Sequence, residues 1–550
     1  MSAETTHHEA VSPSDHQTDL TAGPRTGRLG GERRPERGSS PAPAPVGADR
    51  WVTGISAGAL GAFVLGAIVF PETVSSWVDV GLAKSAQWFG LYWQILLLAT
   101  FLIAIALAFT PWARAKLGGT SVPEFGRFKW VAMVMSTLLA GGGVFWAAAE
   151  PVNHLVSTPP RVGELDPGSA QAAFTALSQS FVHWGFLAWA IIGSLGTIVM
   201  MYGVEKGMPL RPRTLLYPLM GTRAATHWIG AVADIVAIIA VVAGTVGPIG
   251  FLGLQVSYGL SAFFGVPDTY LTQLIVIALL VGIACASVIS GLGKGIQILS
   301  RANIWLAAAL MALIVVLGSA WYLLKSFVGG LGVYAQSFFG ATLYQGDAEW
   351  LSQWTLFFFG WFLGYAPLMA IFIARISRGR TVRDLIVSTT VLPPLVSCVW
   401  FTVLGGTGVM FEQRSPGSIS EPLAESGLPA AVMAISSQLP MTTLVGGAFL
   451  VLTLVFVATT ADSMSYSIAQ SCAPSGEPST VQRTLWALIM GAAAAVLISI
   501  GDGGINALQS FIVVTAVPAG FLMLPAVWGA PLYVRRLALE QGVVRPRAGS

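Results

Sequence analysis

The chain has 550 residues, of which 54% are hydrophobic and 10% are charged, and its formal net charge is +3. Because soluble chains average about 25% charged residues, this composition excludes a soluble globular enzyme, a disordered chain and a nucleic-acid-binding protein with a basic face. The cysteines Cys285, Cys398 and Cys472 are too few for a disulfide scaffold, and none stands at metal-ligand spacing from another. A polytopic protein of the lipid bilayer therefore remains.

Residues 1–50 differ in composition from the rest of the chain. They are rich in Arg, acidic residues, Ser, Pro and Gly and contain almost no aliphatic residues. Such a segment buries too little apolar surface to offset the entropy of ordering it, so we expect a disordered cytoplasmic tail. The segment also lacks the apolar stretch of a signal peptide.

Apolar runs recur from residue 51 onward, each close to the roughly 20 residues that cross the hydrocarbon core. They predict twelve membrane-spanning helices, at 51–70, 87–110, 131–150, 179–203, 228–256, 270–292, 303–325, 351–376, 386–409, 442–463, 484–501 and 507–533. The predicted fold is an all-α integral membrane protein, with a twelve-helix domain at 51–533 and a short basic tail at 534–550.

The basic residues test this assignment through the positive-inside rule. Of the 29 basic residues, 25 lie in the tails and in alternate connections, whereas the other connections hold 4, which are Lys84, Arg161, Lys325 and Arg414. We therefore expect both termini to be cytoplasmic. Two long connections on the opposite side, 326–350 and 410–441, predict short surface helices.

Two predicted spans depart from a plain hydrophobic helix. The third contains Ala-Gly-Gly-Gly at 140–143 and then Glu150-Pro151, and consecutive glycines weaken a helix and free its carbonyl groups to face a cavity. The eighth has seven aromatic residues in the twelve from Trp354 to Tyr365. Close helix packing is the alternative for the third span, and an interfacial belt explains only the outer end of the eighth.

Few ionisable residues fall inside the predicted spans. Those that do include Glu150, His183, Asp234 and Asp462. Their spacing forms no Asp/Glu/His chain of the kind that a proton pump needs. We expect the three acidic residues to cap helices or to be solvated at the interface. No nucleophile–base pair or metal-ligand motif is present, so neither an enzyme nor a bound cofactor is expected.

Aromatic residues of the fourth and eighth spans predict a binding pocket. On a continuous helix Trp184 and Trp189 would be about 140° apart and would flank one side of it, while Trp361 and Phe362 share a face with Tyr365. Aromatic faces attract quaternary ammonium groups, which offer no N–H for hydrogen bonding. A core with so few charges would suit a methylated cation or a zwitterion that contains one.

The chain after residue 50 resembles the betaine/carnitine/choline transporter family over nearly its whole length. The matching segments lie at 117–125, 145–151, 183–190, 206–219, 354–381 and 459–463, and the one that begins at Trp354 is the most specific. The resemblance implies a secondary transporter of the leucine-transporter type, in which spans 3–7 and 8–12 are inverted repeats with the substrate between them. It also implies a homotrimer.

The resemblance further implies a substrate cage. Its residues in this sequence are Trp184, Trp189, Trp361, Phe362 and Tyr365. Members of the family that bind trimethylammonium usually have tryptophan where Phe362 and Tyr365 stand. The resemblance therefore leaves the particular quaternary ammonium or sulfonium substrate open.

Sodium-coupled members of the family hold one sodium ion between spans 3 and 10. The matching ligands here would be the hydroxyls of Thr459 and Thr460 and the carbonyls of Ser136, Leu139 and Phe456. No Lys or Arg falls within spans 3, 5 or 10 to replace the ion, as in sodium-independent members, whereas Gly247-Pro248 weakens a second sodium site in span 5. The alternative for the two threonines is hydrogen bonding to carbonyls of their own helix.

These observations predict a transporter that imports a betaine-like osmolyte across the plasma membrane, the inner membrane of the cell, with sodium as the coupling ion. Ion-independent exchange of two substrates is one alternative. A non-transporting osmosensor or receptor that signals through the tail at 1–50 is the other.

Overall fold

The computed structural model describes residues 49–139, 143–290, 295–473, 478–500 and 504–545. Within these ranges all regular secondary structure is helical, and the only β-type pairing is an isolated bridge between Lys116 and Thr381. The all-α prediction is therefore confirmed. The predicted tail at 1–50 lies outside the described residues except for its last two.

The helices of the first part of the chain include those of the predicted spans 1–7. In chain order they are α1 (Arg50–Val69), α2 (Pro71–Phe109), α3 (Arg127–Leu139), α4 (Gly143–Val156), α5 (Ala170–Trp184), α6 (Phe186–Gly193), α7 (Leu195–Glu205), α8 (Tyr217–Met220), α9 (Trp228–Phe264), α10 (Tyr270–Ser290) and α11 (Gly295–Leu317).

The second part of the chain continues in the same way. Its helices are α12 (Ala320–Thr342), α13 (Ala348–Gln353), α14 (Thr355–Ile376), α15 (Val382–Ile386), α16 (Leu392–Arg414), α17 (Ser420–Ser426), α18 (Ala431–Ser437), α19 (Thr442–Cys472), α20 (Thr480–Leu497), α21 (Ile505–Met523) and α22 (Ala526–Glu540). A π-helical turn at Val387–Val391 joins α15 to α16.

Ten helical segments of the described residues are long and apolar enough to cross a bilayer, and up to eleven if the bent pair of α11 and α12 counts as one span. The predicted third span falls on α3 and α4, and residues 140–142 between them lie outside the described ranges. The glycine run there has no structural account for the same reason. A multi-pass membrane protein follows from these segments, while the number twelve stays a prediction.

The predicted seventh span is wrong at its end. α11 ends at Leu317, and the chain then bends by 105° into α12. Ser319 caps α12 by accepting a hydrogen bond from the backbone N–H of Tyr322 at 3.3 Å, which favours a new helix start over continuation of the old one. The predicted surface helix is thus a long one of 23 residues, which packs along α5 and α16.

The fourth predicted span is three helices rather than one. Gly185 separates α5 from α6 with φ −93° and ψ −137°, and Ser194 separates α6 from α7. A Cβ at Gly185 would overlap the carbonyl oxygen of Phe181, so glycine is required for this break. Because Trp184 and Trp189 lie on either side of it, their predicted separation on a continuous helix is wrong.

α14 is the central helix of the bundle and is buried along nearly its whole length. It packs against α6, α7, α9 and α21. Aromatic residues of α14 are therefore surrounded by protein rather than lipid, which places them where a buried binding site can form.

Candidate functional site

Trp184, Trp361 and Phe362 form an aromatic corner between α5 and α14. The ring of Trp184 lies 5.8 Å from that of Trp361 at 78° and 5.4 Å from that of Phe362 at 87°. Edge-to-face geometries of this kind are favourable for aromatic pairs. All three side chains keep 4–5% of their surface accessible, whereas the neighbouring Phe358 is fully enclosed. The aromatic corner therefore borders a small space.

A proline in α9 positions Trp361. Because Pro248 has no N–H, the carbonyl of Gly244, four residues earlier, lacks its helical donor. The indole Nε1–H of Trp361 donates to that carbonyl at 3.0 Å. In the sequence analysis Gly247-Pro248 argued against a second sodium site. In the structure Pro248 leaves the Gly244 carbonyl free to accept the hydrogen bond that fixes the ring of Trp361.

Tyr365 packs against the same turn of α9. Its hydroxyl lies 3.2 Å from that of Thr245. A Cβ on Gly244 would come within 2.6 Å of the Tyr365 ring and 3.4 Å of Trp361. Glycine at this position lets both rings of α14 lie close to the backbone of α9, so that Tyr365 sits beside Trp361.

Trp189 takes a separate position beyond the break at Gly185. Its Nε1–H donates to the hydroxyl of Ser397 in α16 at 3.0 Å. Among the described residues its ring pairs with none of the other four predicted cage rings, of which Trp184 pairs with Trp361 and Phe362. Trp184, Trp361 and Phe362 thus contact one another, Tyr365 lies beside Trp361 on α14, and Trp189 is hydrogen-bonded to α16.

Two further rings complete the surroundings of Trp184. Phe401 of α16 lies 5.2 Å from its ring, and Phe358 of α14 lies 5.4 Å from it. Phe358 belongs to the aromatic run that the sequence analysis identified. Phe401 has no local signal in the sequence, because its contact with Trp184 arises only from the packing of α16 across α5.

Glu150 lies directly behind the aromatic corner, and its predicted place at a solvated helix end is wrong. The side chain is fully buried within α4. Its Oε1 lies 2.6 Å from Nδ1 of His183, and its Oε2 accepts a hydrogen bond from Nε1–H of Trp184 at 3.0 Å. A carboxylate therefore contacts the outer edge of a cage ring.

Glu150, His154 and His183 form a buried carboxylate–imidazole cluster that the sequence analysis missed. Their nearest side-chain nitrogen and oxygen atoms all lie within 4.8 Å of one another. His154 stands four residues after Glu150 on α4, with its Nε2 at 3.5 Å from Oε1. The i, i+4 spacing was visible in the sequence, whereas His183 arrives from α5 through tertiary packing.

Asp234 and Asp462 are also buried, so their predicted capping or solvation is wrong. Asp234 lies 2.7 Å from Nη2 of Arg213 and 3.1 Å from Nε of Arg211. Asp462 of α19 lies 2.7 Å from Arg483 of α20. Ion pairing with arginine accounts for both, because buried carboxylates need a charged partner or several hydrogen bonds.

The predicted sodium ligands of α19 lie close together. Thr459 donates to the carbonyls of Val455 at 2.9 Å and Phe456 at 3.0 Å, and Thr460 donates to Phe456 at 2.9 Å. Both threonines thus donate to carbonyls of their own helix, which the sequence analysis gave as the alternative to sodium binding. Ser136 and Leu139 lie in the last turn of α3, and their side chains are outside the described part of the chain.

A cavity of about 880 Å³ lies at one end of α14, between the ends of α7 and α19. Its lining includes Glu205, Ala374, Arg375 and Arg378. Ala374 follows Tyr365 by nine residues, which is about 14 Å along a helix. The cavity therefore lies two to three helical turns along α14 from Tyr365 of the predicted cage.

Comparison with known proteins covers nearly all of the described chain. Residues 51–538 match the model of a family described as BCCT, betaine/carnitine/choline family transporter. The chain is 50% identical over 491 residues to Glycine betaine transporter 2 of Vibrio parahaemolyticus. The matched region covers 89% of this chain and 91% of the relative.

Two more distant relatives show the range of named substrates. The chain is 31% identical over 470 residues to the Glycine betaine transporter OpuD of Bacillus subtilis, covering 84% of this chain and 90% of the relative. It is 30% identical over 443 residues to the Ectoine/hydroxyectoine transporter of Virgibacillus pantothenticus, covering 79% of this chain and 86% of the relative. All three relatives are named as transporters.

Proposed function

This chain belongs to the betaine/carnitine/choline transporter family, and on that premise we propose that it imports a betaine-like zwitterion by secondary active transport. The substrate carries a quaternary ammonium or sulfonium group and crosses the plasma membrane together with sodium. Members of this family are transporters and not enzymes, in keeping with the relatives' names.

The aromatic corner carries this proposal. Trp184 meets Trp361 and Phe362 edge to face in the interior of the bundle, next to the fully buried carboxylate of Glu150. A methylated cation has no N–H groups, so it gains little from hydrogen-bond acceptors and is instead attracted by aromatic faces. Desolvated aromatic surroundings favour such a group over an inorganic cation, which would lose its hydration shell.

The proposed architecture has twelve spans with both termini in the cytoplasm, two inverted repeats at spans 3–7 and 8–12, and three subunits. The placement of 25 of 29 basic residues in tails and alternate connections supports the orientation. Interruptions of the kind expected beside a transported substrate are the break at Gly185 and the prolines within α4 and α14.

Sodium coupling is supported by the oxygen atoms on α19. The hydroxyls of Thr459 and Thr460 both lie within hydrogen-bond distance of the Phe456 carbonyl, at 3.0 and 2.9 Å. A hydroxyl that donates to a carbonyl keeps lone pairs for a cation, so these bonds are compatible with coordination. The carbonyls of Ser136 and Leu139 complete the proposed ligand set.

Uptake into proteoliposomes tests the proposed function. The purified protein is reconstituted and given labelled glycine betaine, choline, carnitine, a dimethylsulfonium analogue or ectoine, with an inward sodium gradient or with potassium replacing sodium. We expect accumulation of glycine betaine or the sulfonium compound only with the sodium gradient, and none in protein-free liposomes. Failure to take up or exchange any of the five under either condition would contradict the proposal.

Sodium-independent exchange is the second candidate, and one contact favours it. Arg483 of α20 pairs with Asp462, two residues beyond Thr460, and so places a guanidinium beside α19, which has no Lys or Arg of its own. Counterflow separates the two candidates. Labelled substrate that enters preloaded vesicles equally fast in sodium and in sodium-free buffer, without net accumulation, identifies an exchanger.

A further inference from the structure

Among the buried carboxylates of the described residues, Glu150 is held neither by an arginine or lysine nor by several backbone N–H groups. Asp234 and Asp462 each pair with an arginine at 2.7 Å, and Glu412 accepts hydrogen bonds from three backbone N–H groups. Glu150 contacts imidazole, indole and hydroxyl groups only. A carboxylate buried in this way needs a positive charge or a proton.

His183 does not supply that charge. Its Nε2 lies 3.0 Å from both the amide nitrogen of Gln179 and the hydroxyl of Thr355. The tautomer with an unprotonated Nε2 satisfies both contacts, because an amide nitrogen donates and a hydroxyl can donate. Its Nδ1–H therefore donates to Glu150 at 2.6 Å, and the ring is neutral. With both ring nitrogens of His183 engaged, the cluster also offers too few free ligands for a metal ion.

His154 is the member of the cluster whose ring nitrogens are still available for a proton or a hydrogen bond. The side chain is 1% exposed, and neither ring nitrogen has a hydrogen-bond partner among the described residues. Its Nε2 lies 3.5 Å from Oε1 of Glu150, the distance of an ion pair rather than of a hydrogen bond. A proton shared between these two groups would neutralise the carboxylate and give His154 a partner.

One indole separates this pair from the aromatic corner. Nε1–H of Trp184 donates to Oε2 of Glu150, and the ring of the same Trp184 contacts Trp361 and Phe362. A positive charge at the aromatic corner would stabilise the ionised form of Glu150 across that ring, because charges interact strongly where water is excluded. The carboxylate of Glu150 would then no longer need a proton to offset its negative charge.

We propose that Glu150 and His154 hold one proton while the aromatic corner is empty and release it when the cationic group of a substrate binds there. The inference rests on the proposed function, because it needs a cationic substrate. One proton leaves to bulk water as the ammonium group of the zwitterion enters, so one positive charge replaces another beside Glu150. Proton and substrate are therefore competitors for the same carboxylate.

Other ionisable groups on the neighbouring helices interact elsewhere. Tyr334 of α12 and Cys398 of α16 are buried but are not among the groups that act on His154, the hydroxyl of Tyr365 pairs with Thr245, and Glu349 of α13 is exposed. Within the described residues, the titratable groups that interact with His154 are Glu150 and His183. The proton released at substrate binding is therefore assigned to Glu150 and His154.

Proton release on binding tests this inference directly. Glycine betaine is added to the detergent-purified protein in weakly buffered solution, with a pH indicator reporting released protons and tryptophan fluorescence reporting binding. We expect about one proton released per bound betaine when the empty cluster is fully protonated, and an apparent affinity that weakens by up to about tenfold per pH unit on acidification. Betaine binding with no proton release would overturn the inference.

Two variants and one analogue locate the proton. Glu150→Gln keeps an acceptor for Trp184 and should bind betaine without releasing protons, whereas the exposed control Glu349→Gln should release as many as the unmodified protein. The analogue 3,3-dimethylbutanoate, which has carbon in place of the ammonium nitrogen, should release none. Equal release by Glu150→Gln would contradict the assignment.

The outcomes also separate this inference from the proposed function. If Glu150→Gln fails to fold, the measurement on the unmodified protein still decides, because release or its absence needs no variant. If no methylated ammonium or sulfonium compound binds at all, the proposed function is contradicted and the inference with it. Binding without proton release contradicts the inference alone.

Discussion

The indole of Trp361 has two roles at one position. Its ring contacts Trp184 at the aromatic corner, and its N–H satisfies the Gly244 carbonyl that Pro248 leaves without a helical partner. A buried carbonyl without a donor costs about 1–3 kcal/mol. The side chain is therefore fixed by the backbone chemistry of another helix as well as by packing.

A double-mutant cycle measures this dependence. We expect Trp361→Phe to lower the free energy of unfolding by about 1–3 kcal/mol, because the Gly244 carbonyl loses its donor. In the Pro248→Ala background the restored N–H at position 248 serves that carbonyl, so the same substitution should cost less. Denaturant unfolding in detergent gives both values, and an equal cost in the two backgrounds would contradict the bond's role.

Trp184 and Trp189 should contribute unequally to substrate affinity. Trp184 contacts two rings of the aromatic corner, whereas Trp189 bonds to Ser397 and pairs with none of the predicted cage rings among the described residues. We expect Trp184→Ala to weaken betaine binding by about 0.5–2 kcal/mol, or roughly 2- to 30-fold. Trp189→Ala should weaken it by less. Equilibrium binding of labelled betaine checks the order, and a larger loss for Trp189→Ala would reverse it.

At the scale of an element, the break between α5 and α6 places Trp184 at a helix end. Gly185 makes the break possible, because a side chain there would overlap the Phe181 carbonyl and approach the Tyr334 hydroxyl at 3.2 Å. The ring of Phe186, the next residue, stacks on Tyr334 of α12 at 6.0 Å and 12°. The long surface helix thus supports the break from outside.

Gly185→Ala should disturb this element strongly. The added Cβ meets backbone rather than a flexible side chain, so we expect a loss of about 1–3 kcal/mol in stability together with loss of betaine uptake. Gly282→Ala in α10 is the matched control, because nothing lies within 4 Å of the added atom. The control should be neutral or slightly stabilising. Thermal unfolding of both proteins compares them, and equal melting temperatures would contradict the steric argument.

The break shows what sequence patterns can predict about an element. Apolar length and aromatic content located the fourth and eighth spans and the rings of Trp184 and Trp361. Glycine at 185 did not reveal the break, because a glycine in an apolar run is equally compatible with close packing of a continuous helix. The break also lies against Tyr334, which is distant in sequence and so gives no local signal.

At the scale of the whole molecule, one buried ionic network joins distant parts of the chain. Asp49 at the start of α1 pairs with Arg211 at 3.2 Å and with Arg213 at 3.3 Å, and both arginines also pair with Asp234 of α9. The backbone N–H of Asp49 donates to Cys472 at the end of α19. Three spans are held together where the N-terminal tail ends.

Asp234→Asn should destabilise the whole protein. Removing this charge leaves two buried arginines with Asp49 alone, so we expect a loss of about 3–5 kcal/mol. Glu540→Gln is the control, because Glu540 and Lys206 form a mostly exposed pair at 3.2 Å, whose hydrogen bond raises the pKa of Lys206. The control should change stability by less than about 1 kcal/mol. Unfolding in detergent tests both, and similar losses would contradict the network's importance.

The membrane class and the family were predictable from the sequence because composition and local motifs carry them. The carboxylate–imidazole cluster was not, since Glu150 and His183 are 33 residues apart and meet only when α4 packs on α5. Likewise, Arg483 reaches Asp462 from a different helix, so a search for basic residues within single spans could not find it.

Pro248 leaves the Gly244 carbonyl of α9 without its helical donor, and the indole N–H of Trp361 in α14 donates to it instead. This hydrogen bond links the two helices. These helices belong to different predicted repeats. Any sliding of one past the other must first expose the unpaired carbonyl, which costs about 1–3 kcal/mol and slows that step by roughly one to two orders of magnitude. In the proposed transport cycle, we therefore expect Pro248 to slow any step in which the two predicted repeats move relative to each other.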